Sequence, residues 1–244
     1  MRALSGPDLS VLIPALNERE NLERLLPEIF EVARACGVRT EIIVADGPSH
    51  DGTGEVAAQL GARVVRQRER GYGGALLAGF AAAGAPYVLT MDADLSHPPA
   101  VIKELWARRE DGELLIASRY VPGGGATAGT MRRILSIVLN AVFRLVLNLP
   151  IRDLSSGFRL YRRRALDSLR LESRDFDVLE EILVLGHHRG WRISEIPFHY
   201  MPRKSGASHA RLIQFGAAYI RTLLKMRRLK MSKDQENAQA AGLT

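Results

Sequence analysis

Five short segments rich in Val, Ile and Leu dominate the first half of the chain, and the stretches between them are long enough to form helices. The segments are residues 9–16, 41–46, 62–66, 87–92 and 113–118. Nearly continuous apolar strands that alternate with helices are typical of a parallel sheet covered on both faces. The sequence therefore predicts an α/β fold over residues 8–120, with a first helix that ends near Cys36 and is capped by Gly37.

The fourth apolar segment runs into two carboxylates one residue apart, in the motif Asp92-Ala-Asp94-Leu-Ser-His-Pro98. If the strand continues through Asp92, alternation of its side chains places Asp92 and Asp94 on the same side at its carboxyl end. Open parallel sheets bind their ligands at that edge. Two carboxylates there suit a hard divalent cation, which commonly binds phosphates. An isolated Asp-x-Asp is also a common strand cap, so the interpretation depends on the rest of the chain.

The cysteine count and the apolar patterns indicate the compartment of the protein and whether it carries a signal peptide or a membrane span. The single cysteine, Cys36, cannot form an internal disulfide, which favours a reducing compartment. Residues 1–9 lack the charged and apolar segments of a secretory signal, and no stretch offers the roughly 20 apolar residues of a membrane span. We therefore expect no signal peptide and no transmembrane segment.

The positive charge is concentrated near the C-terminal end of the chain. Of the net charge of +7, residues 196–233 supply nine basic side chains and no acidic one, so the remainder of the chain sums to 7 − 9 = −2. Nucleic acid and anionic lipid are both possible partners of such a segment. Residues 211–231 are predicted to form a basic amphipathic helix, with residues 232–244 as a disordered tail and residues 1–8 as an N-terminal extension.

A glycine-rich loop, residues 121–129, separates the α/β region from an unusually apolar helix predicted over residues 130–149. Polar side chains recur at every fourth position of this helix, and apolar residues fill nearly all the others. The polar positions are Arg132, Ser136, Asn140, Arg144 and Asn148. A helix with so narrow a polar stripe is either buried in the protein or rests its apolar side against lipid.

Two further groups of residues belong with the aspartates. Ser118-Arg119-Tyr120, Arg132, Ser136 and Arg203 offer guanidinium and hydroxyl donors suited to phosphate oxygens, although a surface arginine is the commoner interpretation of each alone. Arg70-Gly71-Tyr72-Gly73-Gly74 lacks the spacing of a dinucleotide fingerprint. We interpret it as backbone packed closely against a ligand or strand.

The order of the motifs over residues 9–210 resembles that of the dolichol-phosphate mannose synthases and their bacterial polyprenyl-phosphate relatives, which are inverting glycosyltransferases of the GT-A fold. The resemblance rests on six motifs in matching order. They are Pro14-Ala-Leu-Asn17-Glu18, the strand-end Asp46, Asp92-Ala-Asp-Leu-Ser-His-Pro98, Ser118-Arg-Tyr-Val121, Asp153-Leu-Ser-Ser-Gly-Phe-Arg159 and Glu195-Ile-Pro-Phe198 through Arg203. It implies a GT-A catalytic domain over residues 9–210, with residues 130–149 as an interface helix.

The resemblance also implies roles for individual residues. The nucleoside would be held by Pro14, Leu16, Glu18, Val44 and Asp46. Asp92, Ala93 and Asp94 would line the diphosphate, with Asp92, Asp94 and Ser96 as ligands of Mg²⁺ or Mn²⁺. The acceptor lipid phosphate would be held by Arg119, Arg132, Ser136 and Arg203. The catalytic residues would be Asp94, Arg119 and Arg203.

Three departures from the family pattern affect these roles. The loop Asp46-Gly-Pro-Ser-His-Asp51-Gly-Thr53 has lost one aspartate and gained one residue, which leaves base preference open. Ser96 stands where many members have a glutamine metal ligand. His209 stands where a lysine often contacts phosphate, which weakens that contact above the pKa of histidine.

The expected activity is transfer of a hexose, first of all mannose from GDP-mannose, to a polyprenyl or dolichyl phosphate. The protein would bind the cytoplasmic face of a membrane, peripherally or through a membrane partner, and would bind no nucleic acid. UDP-glucose or another UDP-sugar remains an alternative donor, and a soluble or polysaccharide acceptor remains an alternative acceptor. That acceptor would require a general base, for which Asp153 or Glu181 is available. A basic nucleic-acid-binding protein is the more distant alternative, because residues 196–233 contain no recognisable binding motif.

Overall fold

The structure, a computed structural model, describes residues 6–127, 130–201 and 212–240, and the side chains of these except for 130–136, 212–219 and 237–240. The described strands are β1 Leu9–Ala15, β2 Thr40–Asp46, β3 Arg63–Arg66, β4 Tyr87–Thr90, β5 Leu114–Ser118, β6 Gly125–Ala126, β7 Arg159–Arg162, β8 Ile193–Pro197 and β9 His199–Tyr200. The described helices are α1 Arg19–Ala35, α2 Thr53–Gln59, α3 Tyr72–Ala82, α4 Val101–Ala107, α5 Thr130–Leu147, α6 Arg163–Leu166, α7 Val178–His188 and α8 Leu212–Ala240.

Seven of these strands form one sheet in the order β3-β2-β1-β4-β7-β5-β8, in which β7 alone runs antiparallel to its neighbours. The predicted α/β fold with a mostly parallel sheet is therefore confirmed. Ala15 pairs with Asp46 and Leu12 with Thr90, so the carboxyl ends of β1, β2 and β4 meet at one edge. The sequence analysis did not predict β7, whose residues Arg-Leu-Tyr-Arg do not form an apolar run.

Two hydrophobic cores lie on opposite faces of this sheet. The side chains of β1 alternate between them, since Val11 and Ile13 pack in the core with α1, whereas Leu12 packs in the core that includes Phe143 of α5. This two-sided burial explains why β1 is a nearly continuous apolar run.

Helix α5 has one face packed in the core and one exposed apolar face, so it is buried only in part. Asn140, Phe143 and Leu147 are buried, whereas Val138 is exposed and Leu145 retains 81% of its accessible surface. The preceding glycine-rich loop is also tied down over part of its length, because β6 pairs with β9.

The C-terminal helix corrects one expectation. Helix α8 continues to Ala240, so residues 232–240, predicted to be disordered, are helical. Pairs such as Lys233 with Glu236, 2.7 Å apart, support a polar helix in this region. Met226 of this helix is buried against the core, whereas Ile220 and Leu224 are exposed. None of the described helices is long and apolar enough to cross a membrane.

Candidate active site

A cavity of about 710 Å³ opens at the carboxyl edge of the sheet. Its walls come from the ends of β1 and β4, the loop after β2, the start of α3 and the segment before α7. The lining side chains include Pro14, Leu16, Glu18, Pro48, His50, Gln67, Arg70, Tyr72, Asp92, Ala93, Asp94 and Phe176. The volume lies within the range of cavities that bind small molecules and cofactors.

The structure brings six of the eight predicted donor-binding residues to this cavity. They are Pro14, Leu16, Glu18, Asp92, Ala93 and Asp94. The other two do not line it. Val44 is fully buried in the core beneath the sheet, because it faces inward from β2. The carboxylate of Asp46 is engaged in its own loop, where it accepts a hydrogen bond of 2.6 Å from the Ser49 hydroxyl.

Asp92 and Asp94 lie in a turn rather than in a strand, which corrects the reasoning from strand alternation. Strand β4 ends at Thr90, and Leu95 has a φ of 63°. The backbone N–H of Ser96 donates to Oδ1 of Asp94 at 3.1 Å, which closes the turn. Both carboxylates nevertheless face the cavity, because this turn directs them there.

His97 stabilises the turn that carries Asp92 and Asp94 through a hydrogen bond to its backbone. The backbone N–H of Asp92 donates to Nδ1 of His97 at 3.0 Å, and Nε2 lies 3.6 Å from Oδ2 of the same aspartate. The imidazole ring is 3% exposed and stacks on Phe158 with a centroid distance of 4.9 Å. Burial lowers the pKa of His97, although Asp92 and Asp94 oppose this shift. The neutral ring therefore accepts at Nδ1 and carries its proton at Nε2.

Tyr72 and Phe176 form an aromatic wall beside Asp92. The Tyr72 hydroxyl donates to Oδ1 of Asp92 at 3.2 Å, and its ring stacks on Phe176 at 4.5 Å between centroids. Burial, together with the negative charge of Asp92, raises the pKa of Tyr72 well above its usual value, so the phenol stays protonated as a donor. The sequence analysis assigned no role to these two residues, although Tyr72 lies within the glycine-rich segment that it singled out.

The glycines of that segment are required by close backbone packing against a loop rather than a strand, and Gly71 also lines the cavity. The N–H of Gly74 donates to the carbonyl oxygen of Arg174 at 3.0 Å. A Cβ atom at Gly73 would lie 2.6 Å from the carbonyl carbon of Arg174. The glycine-rich segment therefore lets the loop that carries Phe176 rest directly on the start of α3.

The donor set for a divalent cation is smaller than predicted. Ser96 is fully buried and does not line the cavity, so the structure does not bring its hydroxyl to Asp92 and Asp94. Within the described residues, no group of three or more His, Cys, Asp or Glu side chains converges in a metal-binding arrangement. Two carboxylates suit Mg²⁺, which usually takes its remaining ligands from substrate phosphates and water.

Arg119 is held by a buried carboxylate. Its Nη2 lies 2.7 Å from Oδ1 of Asp153, its Nε 2.8 Å from Oδ2, and Nη2 also donates to the Ser155 hydroxyl at 2.9 Å. Burial would lower the pKa of Arg119, but the hydrogen bonds that it donates to Asp153 outweigh burial and raise the pKa above its ordinary value. A contact between Arg119 and phosphate is therefore additional to a fixed ion pair, which the sequence analysis did not foresee.

Two of the other predicted acceptor residues, Arg132 and Ser136, lie in α5. The side chains of Arg132 and Ser136, and all of Arg203, lie outside the described residues, as does His209. Arg119 is thus the one member of the predicted acceptor group whose surroundings the structure describes.

Comparison with protein families and curated relatives gives consistent matches. The family model for glycosyl transferase family 2 matches residues 10–170. A dolichol-phosphate mannosyltransferase of Pyrococcus furiosus is 36% identical over 82% of this chain and 58% of its own length. A polyprenol monophosphomannose synthase of Mycolicibacterium smegmatis is 34% identical over 81% of this chain and 79% of its own length.

The fold matches that of solved structures. Glucosyl-3-phosphoglycerate synthase of Mycobacterium tuberculosis, in complex with Mn²⁺, UDP and phosphoglyceric acid, superimposes with a TM-score of 0.71. The match covers 91% of this chain and 79% of that chain at 24% identity. The same enzyme has been solved with Mg²⁺ and UDP, also with a TM-score of 0.71. At this identity the likeness establishes the GT-A-like fold.

Proposed function

The chain belongs to glycosyl transferase family 2, and from that premise we propose that it transfers a hexose from a nucleotide sugar to a polyprenyl phosphate at a membrane surface. Mannose from GDP-mannose is the first donor to test. The observation that carries the proposal is the convergence of Asp92 and Asp94 with Pro14, Leu16 and Glu18 on one cavity of nucleotide-sugar size. The two relatives named as mannosyl transfer enzymes support the choice of sugar and acceptor. The chain spans 58% of the length of the Pyrococcus furiosus relative.

The donor would lie across the carboxyl edge of the sheet. Leu16 is 54% exposed and forms an apolar wall with Pro14, which suits a nucleobase. Glu18 is fixed at the start of α1, where its backbone N–H donates to the Thr53 hydroxyl at 2.9 Å, and its carboxylate is a suitable acceptor for ribose hydroxyls.

Asp92 and Asp94 fit a divalent cation. Both are carboxylates on the cavity wall, and the hydrogen bonds to His97 and Ser96 fix the turn that carries them. Mg²⁺ or Mn²⁺, when bound, would neutralise the charge of a leaving nucleoside diphosphate. The protein's own contribution is to hold these two carboxylates together and to orient Asp92 with the Tyr72 hydroxyl.

Transfer to a hydroxyl acceptor would require a general base, and the two carboxylates considered for that role, Asp153 and Glu181, are both engaged in other contacts. Their engagement supports a phosphate acceptor. Asp153 is fully buried and forms a bidentate pair with Arg119. Glu181 is buried and accepts backbone hydrogen bonds from Glu172 and Ser173 at 2.9 and 2.8 Å. A phosphate monoester, with a second pKa near ~6, is largely ionised at neutral pH and needs no such base. We therefore propose a single displacement with inversion, in which Arg119, with Arg132, Ser136 and Arg203, positions the attacking phosphate.

Attachment to the membrane would use the open apolar face of α5 and the exposed residues of α8. Leu145 is 81% exposed, and Ile220 and Leu224 of the basic helix α8 are also exposed. An amphipathic surface with basic residues nearby is typical of proteins that bind the membrane interface. We place this contact on the cytoplasmic leaflet, made directly or through a small membrane partner.

The test is an extraction assay with the full chain, Mg²⁺, a polyprenyl phosphate and labelled GDP-mannose, with UDP-glucose in a parallel reaction. Label should enter the organic phase from GDP-mannose, and EDTA should abolish it. Label from UDP-glucose alone would change the donor but keep the reaction class. If neither donor labels lipid, with lipid and metal confirmed present, the proposed reaction is wrong, and a water-soluble acceptor or a different nucleotide sugar takes the place of the one proposed.

A further inference from the structure

A second cavity, of about 190 Å³, lies against helix α5 and shares no lining residue with the larger cavity. Its wall consists of Tyr120, Ile137, Asn140, Ala141, Arg144 and Arg152. Neither Arg144 nor Arg152 is among the residues to which the preceding sections assign a role. Two guanidinium groups in one small cavity are an arrangement suited to phosphate oxygens.

The charge in this cavity is not neutralised by the protein residues described around it. No Asp or Glu lines the cavity, and in the described ranges neither guanidinium forms an ion pair or a hydrogen bond. Elsewhere in the chain, arginines such as Arg119 and Arg163 are paired with carboxylates. An anion bound between the two arginines would offset their positive charge.

The framework that carries the two arginines is rigid. Oδ1 of Asn140 accepts the backbone N–H of Leu154 at 3.0 Å, which ties α5 to the loop that contains Arg152. The carboxylate of Glu195 accepts the backbone N–H groups of Arg152 and Asp153 at 2.8 and 2.9 Å. Phe143 and Leu147 anchor the same stretch of α5 in the core. The separation of the two arginine backbones is thus set before any ligand binds.

The surface around the cavity is apolar. Ile137, which lines it, is 43% exposed, and Val142 and Leu145 on the same helix are exposed to 40% and 81%. A free anion would gain nothing from these side chains, whereas a lipid could place its headgroup phosphate on the arginines and its acyl chains along the helix.

We infer that Arg144 and Arg152 form a phosphate-binding site for the headgroup of an anionic phospholipid, separate from the site of the reacting acceptor. Such a site would set the depth and rotation of α5 at the membrane, and so the direction from which a lipid acceptor approaches. The inference goes beyond the proposed transfer reaction and does not depend on it, since lipid binding requires neither donor nor metal.

The test is co-sedimentation of the full chain with vesicles of phosphatidylcholine alone and of phosphatidylcholine mixed with phosphatidylglycerol. The double variant R144Q/R152Q should bind the anionic vesicles about 30-fold more weakly than the parent, the change expected for two basic residues at an anionic surface. The matched control is R164Q/R189Q, which removes two other exposed arginines that do not line the cavity. It should retain most of the binding, and circular dichroism should show that both variants are folded.

Two outcomes would overturn the inference. If R144Q/R152Q and R164Q/R189Q lose binding equally, the effect is one of net charge and no site exists. If the parent and R144Q/R152Q bind vesicles equally, but inorganic phosphate broadens in ³¹P spectra with the parent alone, the cavity takes free phosphate and the lipid assignment is wrong. Loss of transferase activity with normal vesicle binding would concern the proposed function and leave this inference intact.

Discussion

The ammonium group of Lys225, in the C-terminal helix, lies 2.6 Å from Oδ2 of Asp177, which directly follows the cavity-wall residue Phe176. Nζ of Lys225 also donates to the hydroxyl of the buried Ser173 at 2.8 Å. These contacts clamp both ends of the segment that rests on the glycine-rich start of α3. Helix α8, which lies beyond the part of the chain that the family model matches, thereby supports a wall of the active-site cavity.

Replacement of Lys225 by Met should release this segment and raise KM for the nucleotide sugar by about threefold to tenfold, with a smaller change in kcat. The pair is partly exposed, so the loss of folding stability should be at most about 1 kcal/mol. Steady-state kinetics measures the first effect, and urea denaturation the second. Lys230→Met is the control, because Lys230 pairs within its own helix, with Asp234 at 3.5 Å. Asp177→Asn should mimic Lys225→Met, and an additive double variant would contradict the clamp.

His97→Phe should keep the stacking on Phe158 but leave the backbone N–H of Asp92 without its acceptor. An unsatisfied buried donor costs about 1–3 kcal/mol, and here the turn that carries both aspartates would also move. We expect weaker binding of the Mn²⁺–nucleotide complex, measured by calorimetry, while His97→Asn restores part of it through its amide oxygen. Equal binding by the parent and His97→Phe would show that the hydrogen bond does not position the turn.

Asp94→Asn should reduce transfer at least about 100-fold, because it removes one of the two carboxylates available to a cation. The residual activity should require a higher Mg²⁺ concentration, measured as a metal titration of the initial rate. Asp111→Asn is the control, since Asp111 pairs with Arg108 at the surface, 2.8 Å away. A variant at Asp94 with unchanged metal dependence would argue against this site.

Burial raises the pKa of Glu180 from its ordinary value of 4.5 to about 7. Between these two values the folded protein keeps a proton that the unfolded chain has lost, so the free energy of unfolding falls as the pH rises through this window. Glu180→Gln should therefore be more stable than the parent at pH 8, by up to about 3 kcal/mol, and the gain should vanish below pH 4.5. Urea denaturation across this range provides the measurement, with the exposed Glu31→Gln as a control that should show no such dependence.

Gly73→Ala should be destabilising by about 1–3 kcal/mol, because its Cβ would lie 2.6 Å from the carbonyl carbon of Arg174 and the three nearest atoms all belong to the backbone of Arg174. The loop with Phe176 would have to lift off α3, so KM for the donor should rise together with the loss of stability. Gly6→Ala is a matched control, because no atom lies within 4 Å of the added Cβ. Unchanged thermal unfolding of Gly73→Ala would show that the packing is looser than described.

The well-buried strands β1, β2, β4 and β5 were predictable from the sequence, as was the partly exposed β3, whereas β6, β7, β8 and β9 were not. The first predicted strand, residues 9–16, corresponds to β1 Leu9–Ala15, since a two-sided core demands an uninterrupted apolar run. In β7, Arg159 is fully buried but satisfies its guanidinium on backbone carbonyls, those of Ser156, Leu154 and Leu179. No local pattern reveals that these three carbonyl groups, one of them 20 residues away, will surround an arginine.

The sequence by itself determined the α/β class, the location of Asp92 and Asp94 at the end of β4, and the presence of the apolar helix α5. Each of these follows from local periodicity or from a motif within a few consecutive residues. The tertiary structure alone decided that Phe176 joins Tyr72 beside Asp92, that Asp153 holds Arg119, and that Lys225 clamps Asp177. These contacts join residues 34 to 104 positions apart, and their formation depends on the packing of whole helices and loops, which no local pattern encodes.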